Sequence, residues 1–236
     1  MAIATWCANK PAGIIIVADP ASFSYTKNQV SNLNTETPIQ VLKAPKAHKR
    51  EQLCIGFQKA QTAVIVICDD DTRWTPTVLR SLVAPLLRDP SLGCVFPDLR
   101  VDPVGQKFTI WELLGLWRLV GDGVDFHASR QIDGGVFCHH GSTAAYQSSI
   151  LKDPQFMYAF ANETWRGRVL NSGDDQFLCC WLTNHDWPTS LLSADRCLVQ
   201  TRMRNSWRHM LQLLRWSRND WRRCLSTLIF ERHIWR

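Results

Sequence analysis

At 236 residues, 45% of them hydrophobic and 20% charged, the chain is long enough to bury a substantial core and has the composition of a globular protein rather than a disordered one. Its net charge of +6 is unevenly spread: residues 202–236 hold nine Arg, no Lys and two acids, whereas the other 201 residues carry 18 basic and 19 acidic groups. The near-neutral body argues against a surface that coats nucleic acid, and the basic tail suits phosphates, acidic polymers or anionic lipid headgroups. Nine scattered cysteines without a C-x-x-C pair point to a reducing environment, not a disulfide framework. Neither a signal-peptide pattern after Met1 nor a run of about 18 apolar residues occurs, so no transmembrane helix is expected within this chain.

In chain order, AGIIIVADP (12–20) reads as a buried strand closed by Asp-Pro. The polar stretch that follows is expected to be a loop or a short helix, and IQVLKAP (39–45) a second strand. Residues 46–61 place Leu53, Phe57 and Ala60 at helical spacing behind a basic start, and AVIVICDDD returns to strand. Thr75 and Pro76 suggest a cap and a first-turn proline for the helix TVLRSLVAPLLRD. GCVFPDLRV reads as a strand and FTIWELLGLWRLV as an amphipathic helix. DGGVFCHHGSTAAYQ (133–147) reads as a strand with a turn, and LNSGDDQFLCCWL (170–182) as a turn into an apolar helix. Residues 205–236 look helical, with Arg and Trp interleaved. Strands alternating with helices predict an α/β fold with a mostly parallel sheet, and ligands of such sheets lie beyond the carboxyl ends of the strands.

Three stretches carry chemistry. VIVICDDDTRW drives a β-branched strand into three carboxylates; Asp69 and Asp71, two residues apart, can offer oxygen donors on one side to a hard cation such as Mg²⁺ or Mn²⁺ shared with phosphates. The same residues could simply form a solvated turn. In NSGDDQF, Asp174 and Asp175 sit at a helix start, where the dipole favours an ionised carboxylate able to act as a general base, or merely as a cap. In QLLRWSRNDWRR, Gln212, Arg215 and Trp216 share one helix face that combines hydrogen bonding, a phosphate clamp and an apolar platform. An Arg/Trp helix lying on a membrane is the competing reading of that segment. Cys138-His139-His140 is a weak metal candidate.

Taken together and in this order, the stretches resemble glycosyltransferase family 2, and within it the processive hyaluronan, chitin and cellulose synthases, closest to fungal capsular polysaccharide synthase-like proteins. CDDDTRWTP is similar to their D-x-D segment, HHGSTAAYQSSIL to the segment lining the acceptor site, NSGDDQFLCCWL to the one with the catalytic base, and QLLRW to the Q-x-x-R-W motif. The resemblance implies a GT-A type fold over residues 1–204, short of the family's first strand, followed by a Q-x-x-R-W segment and amphipathic Arg/Trp helices over 205–236. It implies an inverting transferase that moves a sugar from a UDP-sugar to a polysaccharide or other hydroxyl acceptor at the cytosolic face of a membrane. Asp69 and Asp71 would hold the nucleotide-sugar with Mg²⁺ or Mn²⁺, and Asp175 would deprotonate the acceptor. Gln212, Arg215 and Trp216 would hold the diphosphate and the acceptor end. Lys49 and Arg50 resemble a basic pair near the nucleotide, and Asp19 an early uridine-contacting aspartate. The partners implied are a carbohydrate acceptor and a membrane surface or membrane-embedded segment, without nucleic acid. The alternative is a catalytically inactive fragment that binds a nucleotide-sugar or a membrane.

Overall fold

The computed structural model describes residues 2–103, 105–132, 138–139, 141–192 and 197–230. A short helix, α1 (Ala2–Ala8), precedes the parallel pair β1 (Ile14–Ala18) and β2 (Ile39–Lys43), which is joined through α2 (Phe23–Ser31). Next come α3 (Lys49–Lys59), β3 (Val64–Cys68), β4 (Arg73–Trp74) and α4 (Val78–Arg88). β5 (Cys94–Pro97) and β6 (Leu99–Val101) lead into the long helix α5 (Ile110–Ile132). β7 (Thr143–Gln147), α6 (Ser148–Leu151), α7 (Pro154–Asn162) and the hairpin β8 (Thr164–Trp165) and β9 (Arg168–Val169) follow. The chain closes with α8 (Asp174–Asn184), β10 (Thr189–Leu192), β11 (Val199–Thr201) and α9 (Arg208–Phe230).

The central sheet has the order β10-β5-β7-β3. β10 runs parallel to β5, but β7 is antiparallel to both β5 and β3, so the sheet is mixed, with β3 and β5 pointing the same way. A smaller sheet, β4-β11-β6, carries the strands beyond β5. The α/β architecture anticipated from the alternating pattern is present.

Period-two alternation sorts the sheet residues between two cores. Ile65, Ile67, Phe96, Ala144 and Tyr146 face the helices α3, α6, α7 and α8, where Phe57, Phe156, Phe160 and Leu182 are buried. Val64, Val66, Cys68, Val95 and Ala145 face α4, where Val78, Leu82 and Leu86 are buried. The alternation has a consequence for the site. Asp69 extends the 65, 67 series, and its backbone N–H continues the ladder to the Ser142 carbonyl at 2.9 Å, so the sheet directs its carboxylate toward α3 and α8.

Some local expectations needed correction. The helix after the aspartates is capped at Thr77 and begins at Val78, two residues later than Thr75-Pro76 suggested; Thr75 instead accepts the Val78 N–H in a preceding turn. The single strand read over GCVFPDLRV is two, broken at Asp98, whose N–H pairs with the Leu192 carbonyl. The helix begun by FTIWELL runs on to Ile132. Residues 133–137 and 140, part of the strand-and-turn expectation and of the Cys138-His139-His140 stretch, lie outside the described residues, as do 231–236 at the end of the basic tail.

Candidate active site

Three element ends converge. Lys49 opens α3, Asp69 follows β3, and Asp174 opens α8. The Lys49 ammonium stands 3.1 Å from Asp69 Oδ1 and 2.9 Å from Asp174 Oδ2, bridging two carboxylates that are distant in sequence. The Lys49 backbone N–H also donates to Asn171 Oδ1 at 2.7 Å, tying the start of α3 to the loop before α8. Asp70 and Asp71 form the exposed turn beyond Asp69, which Thr72 closes by donating its N–H and its hydroxyl to the Asp69 carbonyl.

The electrostatics follow from four carboxylates around one ammonium. Burial alone would lower the Lys49 pKa, but Asp174 and Asp69 together raise it well above its usual value. Burial, then Asp174, push the Asp175 carboxyl up to about 7, with Lys49 opposing the rise. Asp71 is pushed up to about 6 by crowding of its inner side, then by Asp69 and Asp70. Burial raises Asp69 as well, with Lys49 pulling the other way. Perturbed carboxylates gathered at the carboxyl end of a strand make this cluster the candidate site.

Arg50, the neighbour of Lys49, does different work. It is fully buried, and its guanidinium donates to the carbonyls of Phe160, Ser172 and Gly173 while pairing with Glu163. That leaves it no face for a nucleotide, so of the basic pair only Lys49 reaches the carboxylates; Arg50 braces the turn that launches α8. In that turn Gly173 adopts φ +72, and a Cβ there would lie 2.5 Å from Arg222 Nη2, so glycine serves both the backbone sign and the approach of α9. From α9, Asn219 accepts the Ser172 hydroxyl at 3.1 Å, and Asp220 accepts from Gln176 at 2.7 Å and from Arg118 of α5 at 2.6 Å.

The other residues singled out in the sequence are placed differently. Trp216 packs with Val101, Leu119 and Met203 and meets the His209 ring edge-on at 6.4 Å. Gln212 turns a buried Oε1 inward beside His209, and Arg215 is exposed. This part of α9 therefore lies against α5 and the end of β6, and it is the next turn, Asn219 and Asp220, that touches the start of α8. Asp19 follows β1, but its carboxylate accepts from the Ala21 and Ser22 N–H groups and the Ser22 hydroxyl. Both oxygens close its own turn, and the Ser22 bonds hold its pKa down.

Sequence reading missed Asp174 as the ion-pair partner of Lys49, having weighed it only as a neighbour of Asp175. It also missed a buried group behind Asp175. The His139 ring bonds the Tyr146 hydroxyl through Nε2 at 2.6 Å, and the His139 N–H donates to Cys179 Sγ at 3.2 Å. The sequence offered Cys138-His139-His140 only as a weak metal candidate, with Cys179 one helical turn after Asp175.

A divalent cation fits the donor set. Asp69 and Asp71 are hard oxygen donors in a cluster whose acids exceed its bases, and burial first, then neighbouring carboxylates, raise both their pKa values. Among the described residues no three His, Cys, Asp or Glu side chains converge as a ready-made metal site, so a cation here draws further ligands from elsewhere. That is the usual habit of Mg²⁺, which takes one or two carboxylates plus phosphates.

The α/β core with carboxylates at the end of β3 is that of a GT-A fold glycosyltransferase. The solved structures agree. A mannosyltransferase from Pyrobaculum calidifontis in complex with GDP-Man and Mn²⁺ superposes with a TM-score of 0.59 at 13% identity, covering 91% of this chain and 55% of that one. GalNAc-T7 with UDP, GalNAc and Mn²⁺ superposes at 0.54 and 13% identity, covering 82% and 37%. The sequence then names the family: residues 3–219 match the glycosyltransferase-like family 2 profile, and the chain belongs to that family. A type 2 glycosyltransferase of Pyricularia oryzae is 32% identical over 214 residues, which is 89% of this chain and 44% of the relative. One of Gibberella zeae is 36% identical over 183 residues, 76% and 35%. Hyaluronan synthase 3 of Xenopus laevis is 27% identical over 174 residues, 72% and 30%. The chain thus spans less than half the length of these relatives.

Proposed function

We propose that this chain is the catalytic domain of an inverting, metal-assisted glycosyltransferase of the polysaccharide-synthase kind, which moves a hexosyl group from a UDP-sugar to a hydroxyl acceptor. The observation that carries the reading is the Lys49 bridge between Asp69 and Asp174, with Asp175 beside it pushed up to about 7. Asp69 and Asp71 hold Mg²⁺ or Mn²⁺, which neutralises charge developing on the departing diphosphate. Lys49 pairs with both Asp69 and Asp174 and so fixes the distance between β3 and α8. Asp175 takes the proton of the acceptor hydroxyl, a task suited to a base whose pKa lies near neutrality. Arg50 holds the turn that aims Asp174 and Asp175. Gln212, Arg215 and Trp216 lie on the part of α9 that runs against α5 and the end of β6, so the diphosphate and acceptor roles expected of them are not carried into this proposal. Asp19 orders the loop after β1 on the nucleotide side.

We place the domain on a membrane surface, on the cytosolic face. Among the described residues no helix is long and apolar enough to cross a membrane. However, α5 exposes Ile110, Leu113, Trp117, Val120 and Val124 along one stripe, and α9 exposes Leu211, Leu214, Trp221, Leu225 and Leu228. The two helices are clamped together by the Arg118–Asp220 pair at 2.6 Å. Exposed Arg208, Arg215 and Arg218 flank the α9 stripe, the arrangement of a helix that lies in an anionic interface.

The experiment is UDP release by the purified chain with Mn²⁺ or Mg²⁺ across UDP-glucose, UDP-N-acetylglucosamine and UDP-glucuronate, beside Asp71→Ala and Asp175→Asn. Metal-dependent release lost in both variants supports the reading and names the donor. Metal-dependent UDP binding without release leaves a binding fragment, and no UDP binding at all removes the nucleotide site from β3.

A further inference from the structure

The hairpin β8–β9, the start of α8 and the second half of α9 enclose a cavity of about 330 Å³, its open mouth included, to which the transfer reaction assigns no role. Its walls carry unmatched polar atoms. Gln176 is 4% exposed; its amide nitrogen donates to Asp220 at 2.7 Å, which fixes Oε1 on the other side, buried and without a donor. Arg222 is half-buried and donates through Nη1 to Asn219 at 3.1 Å, and among the described residues no acceptor meets its Nη2. The two atoms converge over Gly173: a Cβ built there would stand 2.5 Å from Arg222 Nη2 and 3.3 Å from Gln176 Oε1. A buried acceptor left unpaired is costly. An unpaired donor beside it completes the partner set of one hydroxyl group, which gives its proton to the first and accepts from the second.

The rest of the wall sets the class of molecule. Arg223, in contact with Cys180 Sγ, lines the cavity beside Arg222. The carboxylate of the lining, Glu163, is already paired with the buried Arg50, so positive charge is in excess. Arg166 and Arg168, exposed in the same hairpin, add to it. Trp165 of β8 supplies a half-buried indole, an apolar face for a ring. We propose that this cavity is a carbohydrate site separate from the Lys49 cluster, and that it takes a sugar unit bearing a carboxylate, a hexuronate. One hydroxyl bridges Gln176 Oε1 and Arg222 Nη2, the carboxylate lies against the Arg222 and Arg223 guanidiniums, and the ring rests on Trp165. The Gln176 backbone N–H holds Asp175 Oδ1 at 2.8 Å, so the occupant sits one residue from the base. The hexuronate is therefore a unit of the acceptor; this last role, unlike the binding itself, rests on the transferase reading.

The test is a ligand-observed NMR titration of the metal-free chain with glucuronate, glucose and acetate, without nucleotide. Wild type is compared with Arg222→Gln, Trp165→Ala, Ser226→Trp, which fills the cavity from α9, and Asp71→Ala. The expected result is glucuronate bound at least 10-fold more tightly than glucose or acetate. That affinity should fall at least 10-fold in the first three variants and stay the same in Asp71→Ala. A melting curve accompanies each variant; should Arg222→Gln fail to fold, Trp165→Ala and Ser226→Trp carry the comparison. Glucuronate bound in this way by a chain that releases no UDP supports the site and counts only against the transferase reading. Glucuronate bound no more tightly than glucose or acetate, or as tightly after Trp165→Ala and Ser226→Trp as before, overturns the proposal.

Discussion

Gly141 presses against Asp175: a methyl on its Cα would stand 3.0 Å from Oδ2 and 3.1 Å from Cβ of that aspartate. The loop entering β7 thus forms one wall of the pocket around Asp175, and only a hydrogen atom fits between them. Overpacking at such a contact costs about 1–3 kcal/mol. Gly141→Ala is expected to lower kcat for UDP release by about 10-fold with the donor KM little changed, because the displaced group is the proposed base and not the proposed diphosphate site. Steady-state kinetics with a melting curve checks this; a variant with unchanged kcat and Tm would show that the wall yields freely.

The pH dependence follows from Asp175. Its pKa is raised, so the ionised form that accepts a proton is depleted below about 7 and complete above it. The rate is expected to rise with pH to a plateau above neutrality. Lys49 lowers that pKa, so Lys49→Met should carry the midpoint upward by roughly one unit. A pH–kcat profile of the two proteins decides the matter. A midpoint that stays put in Lys49→Met would remove the lysine from the electrostatics of the base.

As a proposed metal ligand, Asp71 would set the acid limit of cation binding. With its carboxyl pushed up to about 6, protons compete with the cation below that pH. Mn²⁺ affinity in the presence of UDP, measured by titration calorimetry, is expected to weaken about 10-fold for each pH unit below 6. In Asp71→Asn the affinity should be low and nearly independent of pH over the same range.

Arg50 is a structural brace, and its loss has a different readout. Removing one partner of a buried ion pair costs about 3–5 kcal/mol, and here three carbonyls lose their donor as well. Arg50→Met is expected to fall near that range in urea unfolding, whereas Lys49→Met, at a half-exposed position, should lose activity with a much smaller stability change. Equal destabilisation by both would merge the two roles that the structure separates.

The exposed apolar stripe proposed to meet lipid can be tested apart from catalysis. Trp221→Ser with Leu225→Ser removes two exposed apolar anchors of α9. Transfer of such side chains is worth about 1.5–3 kcal/mol each when complete, so partition onto vesicles of phosphatidylcholine with phosphatidylserine should drop by roughly 10-fold or more. Co-sedimentation that is the same for wild type and variant would move the membrane contact elsewhere.

Much of the site was legible because it rests on residues next to strong local signals. A β-branched strand ending at Cys68 announces Asp69, and glycine before two acids and an apolar run announces the start of α8. Lys49 was legible as a basic residue at a helix start, but its pairing with Asp174 joins residues 125 apart in the chain and has no local signature. Arg50 looked equivalent to Lys49 for the same reason: adjacent residues at a helix start look alike until the neighbouring loop buries one of them. The strands β10 and β11 were missed because they are short and half polar, and their partners β5 and β6 are remote.

The sequence by itself determined the element types, the family and the carboxylates available, since hydrophobic period, turn residues and motif spacing are properties of neighbouring residues. Only the tertiary structure decided that β7 runs antiparallel inside the sheet, that Lys49 joins Asp69 to Asp174, that Arg50 is a brace, and that Trp216 packs toward α5. The reason is physical: a carboxylate's charge state and a cation's partner depend on burial and on distances of about 3 Å, and those are set by which remote elements the core packs together.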